Sequence, residues 1–287
     1  MGVVGAITEY SRNGLIFDVT DRGDPADPAV VLLHGFPEDR QSWDPISERL
    51  VAGGLRTLAP DQRGYSPRAR PAEPYPQAYA IPELVDDVVA LLDAAGVERA
   101  HLVGHDWGGG LAWAMAGSHP DRVATLTALS TPHPAAVRRA AMTTPWQLAH
   151  SSYMLFFQLP WLPEQALGRG LERMLLGSGI PRAEAERYAG RMREPGALTG
   201  ALGWYRALRQ ASGALHRCRV PTTFVWGRHD AYLGRQAAEA TGAMVLADYR
   251  FVEVDEGHWL PERQPELCAD EIAARVTWSV GGCSVMD

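Results

Sequence analysis

The chain contains no lysine; all 27 of its basic residues are arginine. That absence excludes a Schiff-base lysine and the phosphate-binding lysine of a P-loop. Cysteine is nearly as scarce. Cys218, Cys268 and Cys283 form neither the paired nor the CxxC spacing that a disulfide framework or a zinc site requires. Positive charge is in deficit, with 34 acidic residues against 27 basic ones. A nucleic-acid binder neutralises phosphates with a basic surface, so that class is excluded. Long apolar runs are missing too. No uninterrupted stretch approaches the roughly 18 residues of a membrane span. Residues 1–14 lack the basic segment and following apolar run of a secretory leader. The expectation is a soluble, cytoplasmic protein with no membrane partner.

What is present is the ordinary make-up of a globular protein: 287 residues, 46% hydrophobic and 21% charged. Length allows one large domain or two modest ones. Residues 29–33 (AVVLL) form a continuous apolar run, as a strand buried on both faces does. Short strands are likewise expected at 55–60, 100–103, 123–129, 220–226 and 249–254. Between them, 81–92 places Leu84, Val88, Leu91 and Leu92 on one helical face. An apolar segment at 111–116 follows a glycine-rich turn, and 265–278 reads as a closing helix. Strand–helix alternation predicts a mostly parallel sheet flanked by helices. From about 131 to 214 the pattern is helical and aromatic-rich, with no strand. The expected organisation is an α/β core, 1–130 and 215–287, interrupted by a helical lid at 131–214. No internal repeat is visible.

The informative string is Leu102-Val103-Gly104-His105-Asp106-Trp107-Gly108-Gly109. A strand runs into Gly-x-Asp-x-Gly and then a helix, the outline of a nucleophile elbow with Asp where Ser is common. The glycines fit because a Cβ at 104 or 108 would collide with neighbouring backbone. A carboxylate is ionised at neutral pH and needs no base to activate it. It can attack an electrophilic sp³ carbon and form an ester. Alone, the motif is equally compatible with an aspartate that caps the helix.

Three further strings bear on that choice. His34-Gly35-Phe36-Pro37 follows the strand at 29–33, where the Phe36 N–H can oppose that of Trp107 as an oxyanion hole. Val225-Trp226-Gly227-Arg228-His229-Asp230 ends a strand with Asp230 at the sheet's C-terminal edge. Val254-Asp255-Glu256-Gly257-His258-Trp259 ends the last strand with His258. The order nucleophile, acid, His is that of α/β-hydrolases.

With these motifs, the chain resembles an α/β-hydrolase of the epoxide hydrolase branch. HGFP at 34–37, DQRGYS at 61–66, GHDWGG at 104–109, the Asp230 turn and GHW at 257–259 fall in the family's order over essentially the whole chain. The resemblance implies catalytic roles for Asp106, Asp230 and His258. It also implies two lid tyrosines, Tyr153 in SYMLFFQ and Tyr205 in GWYR, that donate hydrogen bonds to an epoxide oxygen. Ring opening expels an alkoxide, a poor leaving group, and a phenol stays protonated to meet it. An apolar substrate pocket is expected from Phe36, Pro37, Trp107, Phe156, Phe157, Trp204 and Trp259. Trp146 and Trp161 are lid aromatics that either pack or face the same pocket. The implied reactants are a small apolar epoxide and water, with no metal and no organic cofactor.

Two other readings stand beside this one. A haloalkane dehalogenase uses the same Asp nucleophile, and Trp107 offers an indole N–H for a halide. Phe36 stands where one dehalogenase group has Asn, however, and Trp107 departs from the Asp-Arg elbow of the haloacid group. A silent ligand-binding protein on the same fold has no need of the Asp106–Asp230–His258 set. His105 is expected to hydrogen-bond within the elbow and His229 to be a loop residue. Asp61 and Arg63 are expected to form a structural pair. Asp39-Arg40 stands where many relatives carry Ser and Trp, and bears on the shape of the pocket entrance. Substrate identity, enantiopreference and oligomeric state are not legible.

Overall fold

A strand covered by helices on both faces needs an apolar side chain at nearly every position. The segment Ala29–Leu33 meets that demand and is buried throughout. In this computed structural model, which describes residues 5–72, 76–208 and 216–281, it is β3 of an eight-stranded sheet. The others are β1 (Glu9–Arg12), β2 (Leu15–Arg22), β4 (Arg56–Pro60), β5 (Ala100–His105), β6 (Val123–Leu129), β7 (Thr222–Gly227) and β8 (Tyr249–Val254). The order is β1-β2-β4-β3-β5-β6-β7-β8. All pairings from β4 to β8 are parallel. Only β1 and β2 pair antiparallel, with each other and with β4. The expected lid boundary at 214–215 and Cys283 lie outside the described residues.

The helices are α1 (Asp44–Ala52), α2 (Ile81–Ala94), α3 (Trp107–Ser118), α4 (Pro134–Thr143), α5 (Pro145–His150), α6 (Tyr153–Phe156), α7 (Leu162–Gly177), α8 (Arg182–Met192), α9 (Ala197–Ala207), α10 (Arg235–Ala240), α11 (Leu260–Arg263) and α12 (Pro265–Gly281). Alternate residues of β3 face opposite layers. Val30 and Leu32 join Ile46 and Leu50 of α1 and Ile272 of α12. Val31 and Leu33 join Leu84 and Val88 of α2 and Leu111 and Met115 of α3. Each such side chain contributes about 1.5–3 kcal/mol of burial. Among the described residues, no helix is long and apolar enough to cross a membrane.

Helices α4 to α9 lie between β6 and β7 in the chain. In α7, Leu167, Leu171 and Leu175 recur at four-residue intervals and form its buried stripe. Helix α9 packs backbone to backbone on the turn after β4, since a Cβ at Gly200 would overlap Gly64. Charge closes the rest of this seam. Asp39 pairs with Arg187 of α8, and Asp61 with Arg40 and with Arg191 of α8. Asp39 thus binds helix α8 directly, whereas Arg40 joins it only through the shared partner Asp61. Arg63 makes a bidentate pair with Asp87, both contacts 2.7 Å, so Asp61 and Arg63 brace the loop after β4 through two separate clusters.

Candidate active site

Strand β5 turns into α3 through Asp106, which adopts φ 48° and ψ −119°. Positive φ is rare for a residue with a Cβ and marks local strain. The turn is possible because the surrounding backbone leaves no room for side chains. A Cβ on Gly104 would overlap Gly108, one on Gly108 would overlap the Leu33 carbonyl, and one on Gly35 would meet the Asp106 side chain. The Asp106 carbonyl accepts hydrogen bonds from Gly110 N–H (3.0 Å) and from the Thr131 hydroxyl (2.9 Å). The side chain is thereby set at the C-terminal edge of the sheet, the usual location of ligand sites in open parallel sheets.

Loops after β3, β5, β7 and β8 converge there. Phe36 N–H donates to Asp106 Oδ1 at 2.9 Å. His258 Nε2 lies 3.6 Å from Asp106 Oδ2, and His258 Nδ1 lies 2.8 Å from Asp230 Oδ2. Asp230 Oδ1 accepts the N–H groups of Tyr232 (2.7 Å) and Leu233 (3.0 Å). Trp107 begins α3, so its N–H is among the helix's unsatisfied first donors. The His258 carbonyl is fixed by the Ser130 hydroxyl (2.6 Å) and by His105 Nε2–H (2.9 Å). His105 therefore reaches past its own turn to the loop after β8. Its Nδ1 lies 2.6 Å from Glu38, which also accepts the Gly35 N–H.

These surroundings set the charges. Burial pushes the Asp106 carboxyl up. The nearby His258, with help from His105 and the Phe36 N–H, outweighs it and holds Asp106 below its ordinary value. Burial pushes His258 down, but the two carboxylates raise it well above the ordinary imidazole range. The two carboxylates that flank His258, Asp230 at 2.8 Å and Asp106 at 3.6 Å, thus favour its protonated form. Burial, with the Asp106 charge adding to it, drives Tyr153 and Tyr205 well above the ordinary phenol range. Both hydroxyls stay protonated, and the two interact with each other.

An apolar cavity of about 280 Å³ lies over Asp106. Phe36, Pro37, Phe156, Phe157 and Trp259 line it, together with Tyr153, Tyr205 and His258. Leu167, Met174, Leu175 and Tyr232 line it as well and escaped sequence reasoning. The four-residue repeat in α7 was a signal for Leu167 and Leu175, whereas Tyr232 carries none. Trp107 and Trp204 stand outside the lining, contrary to expectation. The Trp204 indole N–H donates to the Arg63 carbonyl at 2.9 Å, anchoring its ring to the turn after β4. The Trp107 ring packs edge-on against Tyr205, 4.9 Å between centroids. Trp146 and Trp161 are largely exposed. His229 binds Asp255 at the surface. Gln158, just after α6, donates to the Tyr205 carbonyl at 2.8 Å, linking the segments that carry the two tyrosines.

Comparison with known proteins gives concordant results. A match to the family described as alpha/beta hydrolase fold spans residues 28–265. The AB hydrolase superfamily protein YfhM of Bacillus subtilis is 35% identical, over 90% of this chain and 93% of that protein. Epoxide hydrolase A of Mycobacterium tuberculosis is 34% identical, over 91% and 95%. The crystal structure of Epoxide Hydrolase A from Mycobacterium thermoresistibile superposes with a TM-score of 0.79 at 28% identity, over 94% of this chain and 97% of that one.

Proposed function

The chain belongs to the α/β-hydrolase fold family, and from that premise we propose that it is an epoxide hydrolase, adding water to a small apolar epoxide to give a vicinal diol. One observation carries this reading. An ionised carboxylate, Asp106, shares an apolar cavity with two phenols, Tyr153 and Tyr205, that burial keeps protonated. The chemistry of ring opening calls for that pairing: a nucleophile needing no base, facing donors for the departing oxygen.

Asp106 Oδ2 attacks a ring carbon while Oδ1 stays on the Phe36 N–H. The carbon–oxygen bond of the ring breaks, and its electron pair moves to the epoxide oxygen, which Tyr153 and Tyr205 stabilise. Esterification removes the Asp106 charge, one of the two that keep His258 protonated. The alkoxide takes its proton from a tyrosine, and once the ring is open the imidazolium returns a proton to that tyrosinate. The base is therefore switched on by formation of the intermediate it must hydrolyse. Neutral His258, held by Asp230, takes a proton from water, whose oxygen adds to the ester carbonyl. The resulting oxyanion rests on the N–H groups of Phe36 and Trp107. Its collapse breaks the acyl–oxygen bond, and the diol leaves with the proton from His258. The haloalkane reading loses support because the Trp107 ring packs edge-on against Tyr205 and stands outside the cavity lining.

The test is a single turnover with enzyme in excess in ¹⁸O-water. The first diol is expected to be unlabelled, because both of its oxygens come from the epoxide and the carboxylate. Immediate full labelling would mean direct attack by water and would overturn the assignment of Asp106.

A further inference from the structure

The loop between β7 and α10 is held from the lid. Gln147 of α5 is 1% exposed, unusual for a glutamine on a helix whose neighbours Trp146, Leu148 and Ala149 are all exposed. Its Nε2 donates to the Tyr232 carbonyl (2.8 Å) and to the Ser151 hydroxyl (3.1 Å). Its Oε1 accepts the Gly234 N–H (3.0 Å). One planar amide thus closes on the loop from both sides of Leu233. The N–H groups of Tyr232 and Leu233 are the two that hold Asp230 Oδ1. The contact runs from a lid side chain through two peptide units to Asp230 and on to His258.

The same loop sets Tyr232 edge-on against His258, 4.9 Å between ring centroids, and makes it a wall of the substrate cavity. Behind the loop lies a second cavity of about 340 Å³, lined by Gln147, Trp146, Trp226, Arg228 and Asp230 among others. It shares no lining residue with the first. Water in that space can reach the loop's peptide groups once the amide is gone, so losing Gln147 frees the loop to wander rather than merely leaving its groups unpaired.

We propose that Gln147 is a positioning residue for the Asp230–His258 pair, coupling the lid to the hydrolytic half of the reaction. The inference rests on the two-step reading above. Ring opening draws on Asp106, the two tyrosines and the Phe36 N–H; ester hydrolysis draws on His258 as Asp230 orients it. Gln147 reaches the second set through the loop that holds Asp230; its one link toward the first is the Tyr232 ring, which packs edge-on 6.0 Å from that of Tyr153.

Rapid-quench mass spectrometry with styrene oxide measures both steps as formation and decay of an adduct on Asp106. Gln147→Met preserves side-chain bulk and removes the amide. It is expected to slow adduct decay by about 10-fold or more, as a small misplacement of a catalytic group does, with adduct formation within about threefold of wild type. Adduct then accumulates at steady state, and KM falls together with kcat. Gln147→Glu, whose buried neutral carboxyl keeps a donor and an acceptor, recovers part of the decay rate and carries the test should the Met variant not fold. Tyr153→Phe, on the same lid segment, is expected to show the opposite split. Equal slowing of both steps in the Gln147 variants, or of neither, overturns the positioning role. Absence of any adduct even in His258→Gln overturns the two-step reading itself.

Discussion

Asp106 is surrounded by donors while the phenols opposite it are surrounded by hydrocarbon, and the titration of each follows. The carboxyl, held low by His258, loses its charge only below the ordinary carboxylate range. Tyr153 and Tyr205, raised by burial and by the Asp106 charge, lose their protons only above the ordinary phenol value near 10. Ring opening needs the carboxylate charged and the phenols neutral. Its rate is therefore expected to stay flat from about pH 6 to pH 10, where an unperturbed phenol would already be half ionised. Stopped-flow tryptophan fluorescence under single-turnover conditions measures it, and a fall near pH 9 would contradict the assignment. Tyr153→Phe and Tyr205→Phe are each expected to slow this step by roughly 10 to 10³, by analogy with loss of one oxyanion donor. The double variant is expected to be nearly inactive on epoxides while remaining folded. Wild-type turnover in both single variants would reduce the tyrosines to packing residues.

At the scale of elements, α8 and α11 meet through a carboxyl that is buried without a counter-ion. Tyr188 of α8 donates to Glu262 of α11 at 2.6 Å. Burial first, then the negative charge of Glu38, pushes Glu262 up to about 8, with His105 opposing. The folded protein holds this proton where the unfolded chain releases it, so the stability it contributes is complete below the ordinary glutamate value and lost as pH rises through about 8. Glu262→Gln, which mimics the neutral form, is expected to raise the melting temperature at pH 8.5 more than at pH 5. An equal shift at both would show that Glu262 does not titrate between them and would overturn this account. None of this seam was legible in the sequence. Asp39–Arg187 and Asp61–Arg191 join residues far apart in the chain, and a pair across a fold has no local periodicity to announce it. The strands β3 and β5 to β7 were legible because burial on both faces leaves an apolar run, and β8, at the sheet edge, because Phe251, Val252 and Val254 still mark it. The hairpin β1–β2 was overlooked although Asn13-Gly14, both at positive φ, carries a hairpin-turn signature. Only Phe17 and Val19 of β2 are buried, so its apolar pattern is faint. Asp106, Asp230 and His258 were legible from strand-to-turn motifs. Gln147 was not, since its partners are backbone groups of a distant loop.

For the whole molecule, charge and cavity act in the same direction on substrate choice. The formal net charge is −7. Apart from Asp106 and His258, no residue lining the cavity is charged. An anionic substrate is repelled on approach and then finds no counter-charge on burial. A neutral aryl or alkyl epoxide is expected to exceed a carboxylate-bearing analogue of equal length by about 10² or more in kcat/KM. Comparable values for the two, measured at moderate salt, would place an unrecognised cation at the cavity mouth. The glycines around Asp106 bear on how such a preference can change through descent. A single-base change in a glycine codon yields only residues with a Cβ, and at 35, 104, 108 and 109 the space for one is already filled. Inheritable variation in what the protein accepts is thereby channelled away from the sheet edge and into Phe156, Leu167, Met174 and their neighbours, where one side chain can replace another without moving the backbone.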